Sequence, residues 1–534
     1  MKKKLGAVIL AAAIFTGITT FSTVAAEDGI SNTRMPDNPG IFLYPSTWAL
    51  EEVNTAINAG LVPQSLQEGY GEQLTRAEFC ALAVALYEKC VGEEITERRT
   101  FDDIDDINVE KAGAIGVVLG VGDNLFEPDA IFRQEQAATM LARLAEAIGK
   151  PLENEDAPPR QEQAISPWAL ESVRQVLAAG IMESDGVFLP KTRYDREQGI
   201  GAILRLYEYY LGYSLSKYDV EYVTVGAGTE YELSGKLTIP SGVTPDTPCP
   251  AVVLVQGSGS SDMDETIYAN KGDEMIGANK PFFDIADYLS SNGIAVIRYN
   301  KRTFTYGEKM VEESDGSLTV MEETIEDAIL ATEMLKSDPR IDKDRIFIIG
   351  HSLGGMLAPR IHAEGGDYAG LILLAGSPRF LLNISKDQNI AYIEAMPDGE
   401  EKETLLEQML SWDLQIAIML SLSDEAAKET PMGGGVSVYY YQDMYKHPAS
   451  EYIKEITVPF LVLQGSKDFQ IYPDKDFALY KELLGDRSNV TFKLYDGLNH
   501  LFMTSTTGTI EEYEIKGHVD VQVLEDIVQW INTN

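Results

Sequence analysis

The spacing of apolar residues divides this chain into two parts. Up to about residue 211 apolar positions recur at helical intervals, in short segments broken by glycine-containing loops. From Val220 the period shortens. Val220–Val225 and Tyr231–Ile239 alternate as half-buried strands do, with Gly226-Ala227-Gly228 as the turn between them. Continuous apolar runs follow at Ala251–Val255, Ile294–Ile297, Ile346–Ile349, Leu371–Leu374, Phe460–Leu463 and Val490–Leu494. Unalternated runs suit parallel strands covered on both faces. Helical patterns at Asp284–Leu289, Met321–Leu335 and Asp474–Leu484 lie between them, so residues 219–534 are expected to form a doubly wound, mostly parallel α/β sheet. Residues 379–455 break the alternation. They hold helical patterns, Trp412, a Gly433-Gly434-Gly435 hinge, and Tyr439, Tyr440, Tyr441 and Tyr445. An insertion there predicts a helical lid, whose aromatics either line a pocket or pack the lid itself.

The helical part repeats itself. Trp48-Ala49-Leu50 leads to Gly60, and Trp168-Ala169-Leu170 to Gly180, each tryptophan twelve residues before its glycine. Asn108 and Gly120 keep the same gap. An arginine follows each glycine, Arg76, Arg133 and Arg196, after 16, 13 and 16 residues. Each unit reads as helix, glycine cap, loop and second helix. Thr75 with Glu78 has capping-box spacing, and Asp195 with Gln198 a weaker form. One helix pair cannot bury its own apolar face, but three together can. Residues 45–211 are therefore expected to be one all-α assembly of three repeats, about 45–92, 101–149 and 165–211, followed by a short joint at 212–218. Cys80 and Cys90 fall ten residues apart in one helical pattern, roughly 15 Å along the axis, too far to bond.

These openings, with Gly120-Val121-Gly122-Asp123-Asn124-Leu125-Phe126-Glu127-Pro128 and the helix-start arginines, resemble the S-layer homology (SLH) repeat in a set of three. The resemblance implies attachment to an anionic secondary cell-wall polysaccharide, with Arg76, Arg133 and Arg196 reaching acidic groups and Trp48 and Trp168 beside them. An arginine at a helix N-terminus can serve a carboxylate in this way; the alternative is a solvated first-turn residue.

The candidate chemistry lies in the second part. Ile346–Ile349 runs into Gly350-His351-Ser352-Leu353-Gly354-Gly355, a G-x-S-x-G sequence between a strand and a helix start. That context describes a nucleophile elbow, with Ser352 lifted above a sheet and both glycines required by close backbone packing. A serine needs a base. His500 follows the last apolar run, with His518 as the second choice; His351 is expected to point away. Asp468 sits just past the end of Phe460–Leu463, with Asp496 as competitor. Ser352, Asp468, His500 is the α/β-hydrolase order. The oxyanion donors are expected to be the backbone N–H of Leu353 and of the loop Gln256-Gly257-Ser258-Gly259-Ser260, at Gly257 or Ser258.

With Asn300-Lys301-Arg302, Gln464-Gly465-Ser466-Lys467-Asp468 and Gly497-Leu498-Asn499-His500, residues 219–534 resemble the serine carboxylesterase and prolyl-oligopeptidase-like branch of the α/β-hydrolases. This implies a carboxylic ester hydrolase acting through an acyl-enzyme. A peptidase or acyltransferase of the same fold, or an inert hydrolase fold on a wall-binding protein, are the alternatives. Thr303-Phe304-Thr305-Tyr306-Gly307 and Met263 depart from the pattern of relatives.

Charge and the N-terminus add a location. The formal net charge is −41, from 84 acidic and 43 basic residues, which argues against nucleic acid or an anionic membrane as partner. Lys2-Lys3-Lys4, the apolar Leu5–Phe15 and Val24-Ala25-Ala26 read as a signal peptide over 1–26, followed by an irregular stretch at 27–44. The expectation is a secreted, cell-wall-associated enzyme acting on an acyl ester or acylated glycan, without a transmembrane anchor after cleavage. No motif points to a metal or cofactor; Asp123 and Asn124 alone are not a calcium loop.

Overall fold

The computed structural model describes residues 44–534 except 47, 129, 154–163, 183–187 and 272–273. The expected leader lies outside the described residues, as does most of the acidic, proline-containing loop over 151–163. The chain divides into two units, a helical one over Met35–Lys217 together with Ala269–Ala278, and a second over Tyr218–Tyr268 and Asn279–Asn534.

Six α-helices of the first unit stand among the described residues: α1 (Leu50–Asn58), α2 (Arg76–Val91), α3 (Ile107–Ala114), α4 (Gln134–Ala147), α5 (Leu170–Ala178) and α6 (Arg196–Leu211). They pack across the repeats, α1 against α6, α2 against α3 and α4 against α5. Helix α2 opens on a full capping box: Glu78 N–H donates to Thr75 Oγ1 at 3.1 Å and Thr75 N–H to Glu78 Oε2 at 2.9 Å. Such a cap is worth about 1 kcal/mol. In α4 and α6 only the returning half is present, Arg133 N–H to Gln136 Oε1 and Asp195 N–H to Gln198 Oε1. The strands of chain that feed these helices meet in the middle, where Leu74 N–H donates to Tyr194 O and Tyr194 N–H to Phe132 O, both at 3.0 Å. Phe132 packs between Phe79 and Tyr194 at that junction. Cys80 and Cys90 lie on the unbroken α2 and are free.

The repeat register differs from the expected one in its middle copy. Val53, Val109 and Val173 occupy matching buried positions, as do Ala56, Ala112 and Val176. By that register the helix-ending glycines are Gly60, Gly116 and Gly180, all left-handed at φ 71, 78 and 67°. Gly120 instead sits in the next loop, where a Cβ would meet Leu125 O at 2.7 Å. The twelve-residue gap from Asn108 to Gly120 is thus out of register, and Ile104 holds the place of Trp48 and Trp168. Arg76 and Arg196 are the first residues of their helices, whereas Arg133 is the residue before α4, where Thr75 and Asp195 stand. The three arginines are not equivalent.

Nor are two of them presented to solvent. Arg76 is buried with its guanidinium 4.7 Å over the Phe126 ring. Arg196 is buried, donating to the carbonyls of Glu68 and Gly69 and pairing with Glu78 at 2.8 Å and Glu72 at 3.5 Å. Arg133 Nη1 donates to Lys191 O at 2.5 Å. Each arginine ties its own repeat to a loop of another. Buried carboxylates do likewise: Glu197 accepts Ser46 N–H and Glu135 accepts Ser166 N–H, holding the chain just before α1 and α5. Trp48 and Trp168 remain 44% and 58% exposed.

Ten strands follow Lys217 among the described residues: β1 (Tyr218–Val225), β2 (Leu233–Pro240), β3 (Cys249–Val255), β4 (Ile267–Lys271), β5 (Glu274–Asn279), β6 (Ala295–Tyr299), β7 (Ile341–His351), β8 (Gly370–Leu374), β9 (Phe460–Gly465) and β10 (Val490–Tyr495). Eight form one sheet in the order β1-β2-β6-β3-β7-β8-β9-β10, and β4 and β5 form a separate ribbon. Strand β2 is antiparallel to both neighbours; the pairs from β6 to β10 are parallel. Alternate residues of the apolar runs serve opposite faces. Val253, Val255, Ile346 and Ile348 enter one core, and Val252, Leu254, Phe347 and Ile349 the other. This is the two-sided burial that an unalternated run predicts.

Helices α7 (Pro281–Ser291), α8 (Arg302–Ser314), α9 (Glu326–Ser337) and α10 (Leu353–Ile361) lie between the strands as far as β8. The insertion between β8 and β9 is wholly helical: α11 (Leu381–Ala395), α12 (Glu400–Met409), α13 (Trp412–Leu420), α14 (Asp424–Lys428), α15 (Val438–Lys446) and α16 (Ala449–Glu455), with a three-residue 3-10 turn at Gly433–Gly435. Its aromatics mostly pack. Trp412 is buried and donates from Nε1 to Leu382 O at 3.1 Å; Tyr440 and Tyr441 are buried; Tyr445 is exposed against Phe380. Helices α17 (Ala478–Leu484) and α18 (Val521–Thr533) complete the unit.

Candidate active site

Strand β7 ends at His351 and α10 begins at Leu353, leaving Ser352 alone at the turn with φ 53° and ψ −115°. A non-glycine residue in that region is strained and is held there only by its surroundings. Those surroundings are glycines. A Cβ on Gly350 would fall 2.2 Å from Gly354 O, and one on Gly354 2.2 Å from Val255 O. Ser352 N–H is fixed to Leu374 O at 2.9 Å. The turn therefore projects one hydroxyl from a core that cannot move.

The sheet described above, with its nucleophile turn after the fifth strand of the main sheet, decides the architecture. The second unit has the α/β-hydrolase fold. Sequence comparison agrees: residues 277–506 match a family described as serine aminopeptidase, S33. Esterase EstD of Thermotoga maritima is 39% identical over 304 residues, covering 56% of this chain and 65% of that protein. The chain thus spans about two thirds of that relative's length. Among solved structures, Est1E from Butyrivibrio proteoclasticus shares 13% identity over 58% of this chain and 98% of its own, with a TM-score of 0.34. An esterase from Pyrococcus furiosus shares 15% over 59% and 92%, with a TM-score of 0.35.

The acid and base loops are brought together by backbone packing. Gly465, at the end of β9, leaves room for Leu498 O, which a Cβ would meet at 2.3 Å. Lys467 N–H donates to the same carbonyl at 2.9 Å and Ser466 N–H to Tyr495 O at 2.8 Å. Asp468 Oδ2 then sits 2.8 Å from His500 Nδ1, both residues buried. The carboxylate also accepts Gln464 Nε2 at 2.7 Å, Gln470 N–H at 2.8 Å and Ile471 N–H at 2.9 Å. Those three donors hold it as an acceptor, so His500 carries its proton on Nδ1 and leaves Nε2 to act. Asp496 is exposed and accepts Ser466 Oγ at 3.1 Å, a turn contact away from the imidazole. His518 pairs instead with Asp284 at 2.9 Å.

His351 does not merely point away. Its Nε2 donates to His500 O at 3.0 Å, and its Nδ1 lies 2.9 Å from Glu265 Oε2. At that second contact the separation is that of an ion pair, but the atoms are not aligned for a hydrogen bond, so the attraction is electrostatic. Burial alone would lower the His351 pKa. The Glu265 carboxylate, the His500 carbonyl and the Asp468 charge outweigh it and raise the pKa above its ordinary value. Both nitrogens face acceptors, which suits an imidazolium. Glu265 is itself held at φ 51°, and its Oε1 accepts Gly257 N–H at 2.7 Å.

That last bond corrects one expectation. Gly257 N–H is already taken, so Gly257 is not an oxyanion donor. A Cβ on Gly257 would lie 3.2 Å from Ser352 Cβ; its role is to let the loop abut the nucleophile. Ser258 N–H and Leu353 N–H, by contrast, have no acceptor among the described residues; Leu353 follows Ser352 in the chain, and Ser258 follows Gly257, which abuts it. The loop from Gly257 to Glu265 is braced from below. Lys301 Nζ donates to Gly257 O at 2.9 Å, Asn300 Oδ1 accepts Met263 N–H at 2.9 Å, and Asp264 is buried between Arg298 at 2.9 Å and Lys280 at 3.2 Å. Glu265 and Lys301 were not picked out for a role from sequence. The available signal was the adjacency of Lys301 to the end of β6, but nothing in the sequence shows which way either side chain turns.

Proposed function

We propose that this protein is a serine hydrolase of carboxylic esters, exported and held on the cell wall by its helical repeats. The observation that carries the catalytic part is the buried Asp468–His500 pair, 2.8 Å apart, together with a serine strained at φ 53°. Ser352 Oγ attacks the ester carbonyl carbon while His500 Nε2 takes its proton. The new C–O bond leaves the carbonyl oxygen as an oxyanion facing Ser258 N–H and Leu353 N–H. Collapse breaks the bond to the alcohol, which leaves with the proton from His500. A water molecule, deprotonated by His500, then attacks the acyl-enzyme, and the proton returns to Ser352 as the carboxylic acid departs. Asp468 stays ionised and fixes the imidazole tautomer.

The printed name of the 39%-identical Thermotoga maritima relative, an esterase, favours ester over amide. The description of the matching family, serine aminopeptidase, favours a second reading in which the acyl group is an aminoacyl residue. Turnover of a chromogenic short-chain acyl ester and of an aminoacyl anilide by wild type and Ser352→Ala separates these. Ester turnover lost in the variant supports the first reading; anilide turnover alone supports the second; turnover undiminished in the variant removes Ser352 from the mechanism. For the wall-binding part, the support is the three-repeat helical unit and the exposed Trp48 and Trp168. Co-sedimentation of the full chain with purified anionic wall polysaccharide tests it, and no retention would overturn it.

A further inference from the structure

We infer that Lys301, held by Glu323 and through it by Tyr440, is the positioning residue for the second oxyanion donor, so that the helical insertion reaches the reacting carbonyl through a chain of buried polar contacts. This rests on the serine hydrolase reading above. The chemistry begins with one peptide unit. Gly257 C=O and Ser258 N–H belong to the same peptide, no cis bond occurs among the described residues, and in a trans peptide the C=O and N–H bonds point in opposite directions. Whatever holds Gly257 O therefore aims Ser258 N–H. Lys301 Nζ holds it, at 2.9 Å.

A neutral donor would satisfy a carbonyl oxygen. An ammonium does more. A cation on the oxygen draws the amide toward its charge-separated form and makes the N–H at the other end a stronger donor. Lys301 is almost wholly buried, so this charge acts in a medium that screens it little. It is balanced by Glu323, whose Oε1 lies 2.9 Å from Nζ. The other oxygen of Glu323 accepts Tyr440 Oη at 2.5 Å. Glu323 belongs to the turn Met321–Ile325 ahead of α9, and Tyr440 to α15 of the insertion; both are buried. On its other side Gly257 is held by Glu265 through its N–H. The loop is clamped at both ends of the residue before Ser258, but only the Lys301 clamp acts on the peptide that carries the Ser258 donor.

The test uses the full chain, with kcat and KM for a chromogenic acetyl ester, the rate at which a fluorophosphonate labels Ser352, and thermal unfolding as the control. Lys301→Met alone would leave Glu323 buried and unpaired, so Lys301→Met/Glu323→Gln removes both charges. Loss of an aimed oxyanion donor should lower kcat and the labelling rate of the folded double variant on the order of 100-fold, with KM within about threefold. Tyr440→Phe, which leaves both charges in place, should lower kcat by about threefold to tenfold at unchanged KM. A folded double variant whose kcat stays within about threefold of wild type, or whose loss falls on KM alone, overturns the inference. If the double variant does not fold, an unchanged kcat in Tyr440→Phe overturns it. Failure of the underlying reading is distinct: wild type that is not labelled at Ser352, or ester turnover surviving in Ser352→Ala, rejects both.

Discussion

Two histidine–carboxylate pairs flank Ser352, and their difference shows what separates a base from a brace. His500 meets Asp468 at 2.8 Å and His351 meets Glu265 at 2.9 Å. Both pairs are buried, and the two rings lie 4.7 Å apart. By distance and burial they are near twins. They differ in what faces the second nitrogen. His351 Nε2 is committed to a backbone carbonyl, that of His500 itself. With an acceptor at each end, the ring has no nitrogen from which to accept a proton. His500 is engaged at Nδ1 only. The carboxylates differ in the same sense. Asp468 is held by three other donors and fixes one imidazole, whereas Glu265 divides its two oxygens between a histidine and the oxyanion loop. One pair does chemistry; the other joins the loop before the nucleophile to the loop that carries the base.

The largest effect should come from the pair that titrates during the reaction. Asp468→Asn keeps the shape but offers an amide to Nδ1, favouring the wrong tautomer. Ester turnover should fall by about 10⁴-fold with the fold intact. A loss below about tenfold would move Asp468 out of the base's support and reopen the claim of Asp496. Glu265→Gln is the matching change in the brace. It retains an oxygen for Gly257 N–H and removes only the charge opposite His351. A fall in kcat of about tenfold is expected, well short of the Asp468 effect. Equal losses in the two variants would dissolve the distinction drawn here.

The brace also predicts a pH dependence of stability. Burial pulls the His351 pKa down, but Glu265, the His500 carbonyl and Asp468 together leave it raised. Tyr513, whose hydroxyl accepts Gln470 Nε2 at 2.6 Å, faces Glu265 and Asp468 from the same side of the site. A histidine whose folded pKa is raised contributes stability that is fully present below about pH 6.5 and is lost as pH rises through the folded value. In Glu265→Gln the main opposing charge is gone and burial prevails. Urea unfolding of both proteins from about pH 5.5 to 9 should therefore show wild type ahead at low pH and the two curves converging as pH rises. Parallel curves would mean that His351 keeps one protonation state throughout. Catalysis has the opposite acid limit, since His500 must be neutral to accept the serine proton.

Much of this site was legible in the sequence, and the division has a physical basis. The elbow could be read because sterics leave few residues that fit it: Gly350 and Gly354 are required by approaches of 2.2 Å. The strands could be read because burial on both faces demands unbroken apolar runs. Asp468 and His500 could be placed because each closely follows such a run. Glu265, Lys301 and Glu323 could not, since their partners are backbone atoms and side chains brought near only by the fold. The repeats show the same limit from another direction. Spacing alone paired Asn108 with Gly120, but Gly116 ends α3, because the register is set by the buried Val109 and Ala112 and not by a count between polar residues. The arginine pattern failed for a related reason. Side chains at helix starts can turn inward, and Arg76 and Arg196 do so because the repeats need stapling to one another.

The smallest effect should come from the residues that compete for the same roles on sequence grounds. His518 pairs with Asp284, which also accepts Val519 N–H at 2.9 Å, so its imidazole holds the start of the last helical segment. Asp496 accepts a serine hydroxyl in the turn ahead of His500. The bond from His518 Nδ1 goes to Asp284 and that from Ser466 Oγ to Asp496, so neither of these bonds ends on Asp468, His500 or Ser352. His518→Ala and Asp496→Asn should each leave kcat within about twofold of wild type. Because His518 has a raised pKa from its bond to Asp284, its removal should cost most stability at low pH, where the imidazolium faces the carboxylate, and less once the pH exceeds the folded value. This places a third histidine–carboxylate pair beside the other two. It resembles the brace in titration and differs from it in its carboxylate, since Asp284 accepts Val519 N–H where Glu265 accepts Gly257 N–H. A kcat loss in His518→Ala as large as that in Glu265→Gln would mean that charge near the sheet, and not a path of contacts to Ser258 and His500, is what the brace supplies.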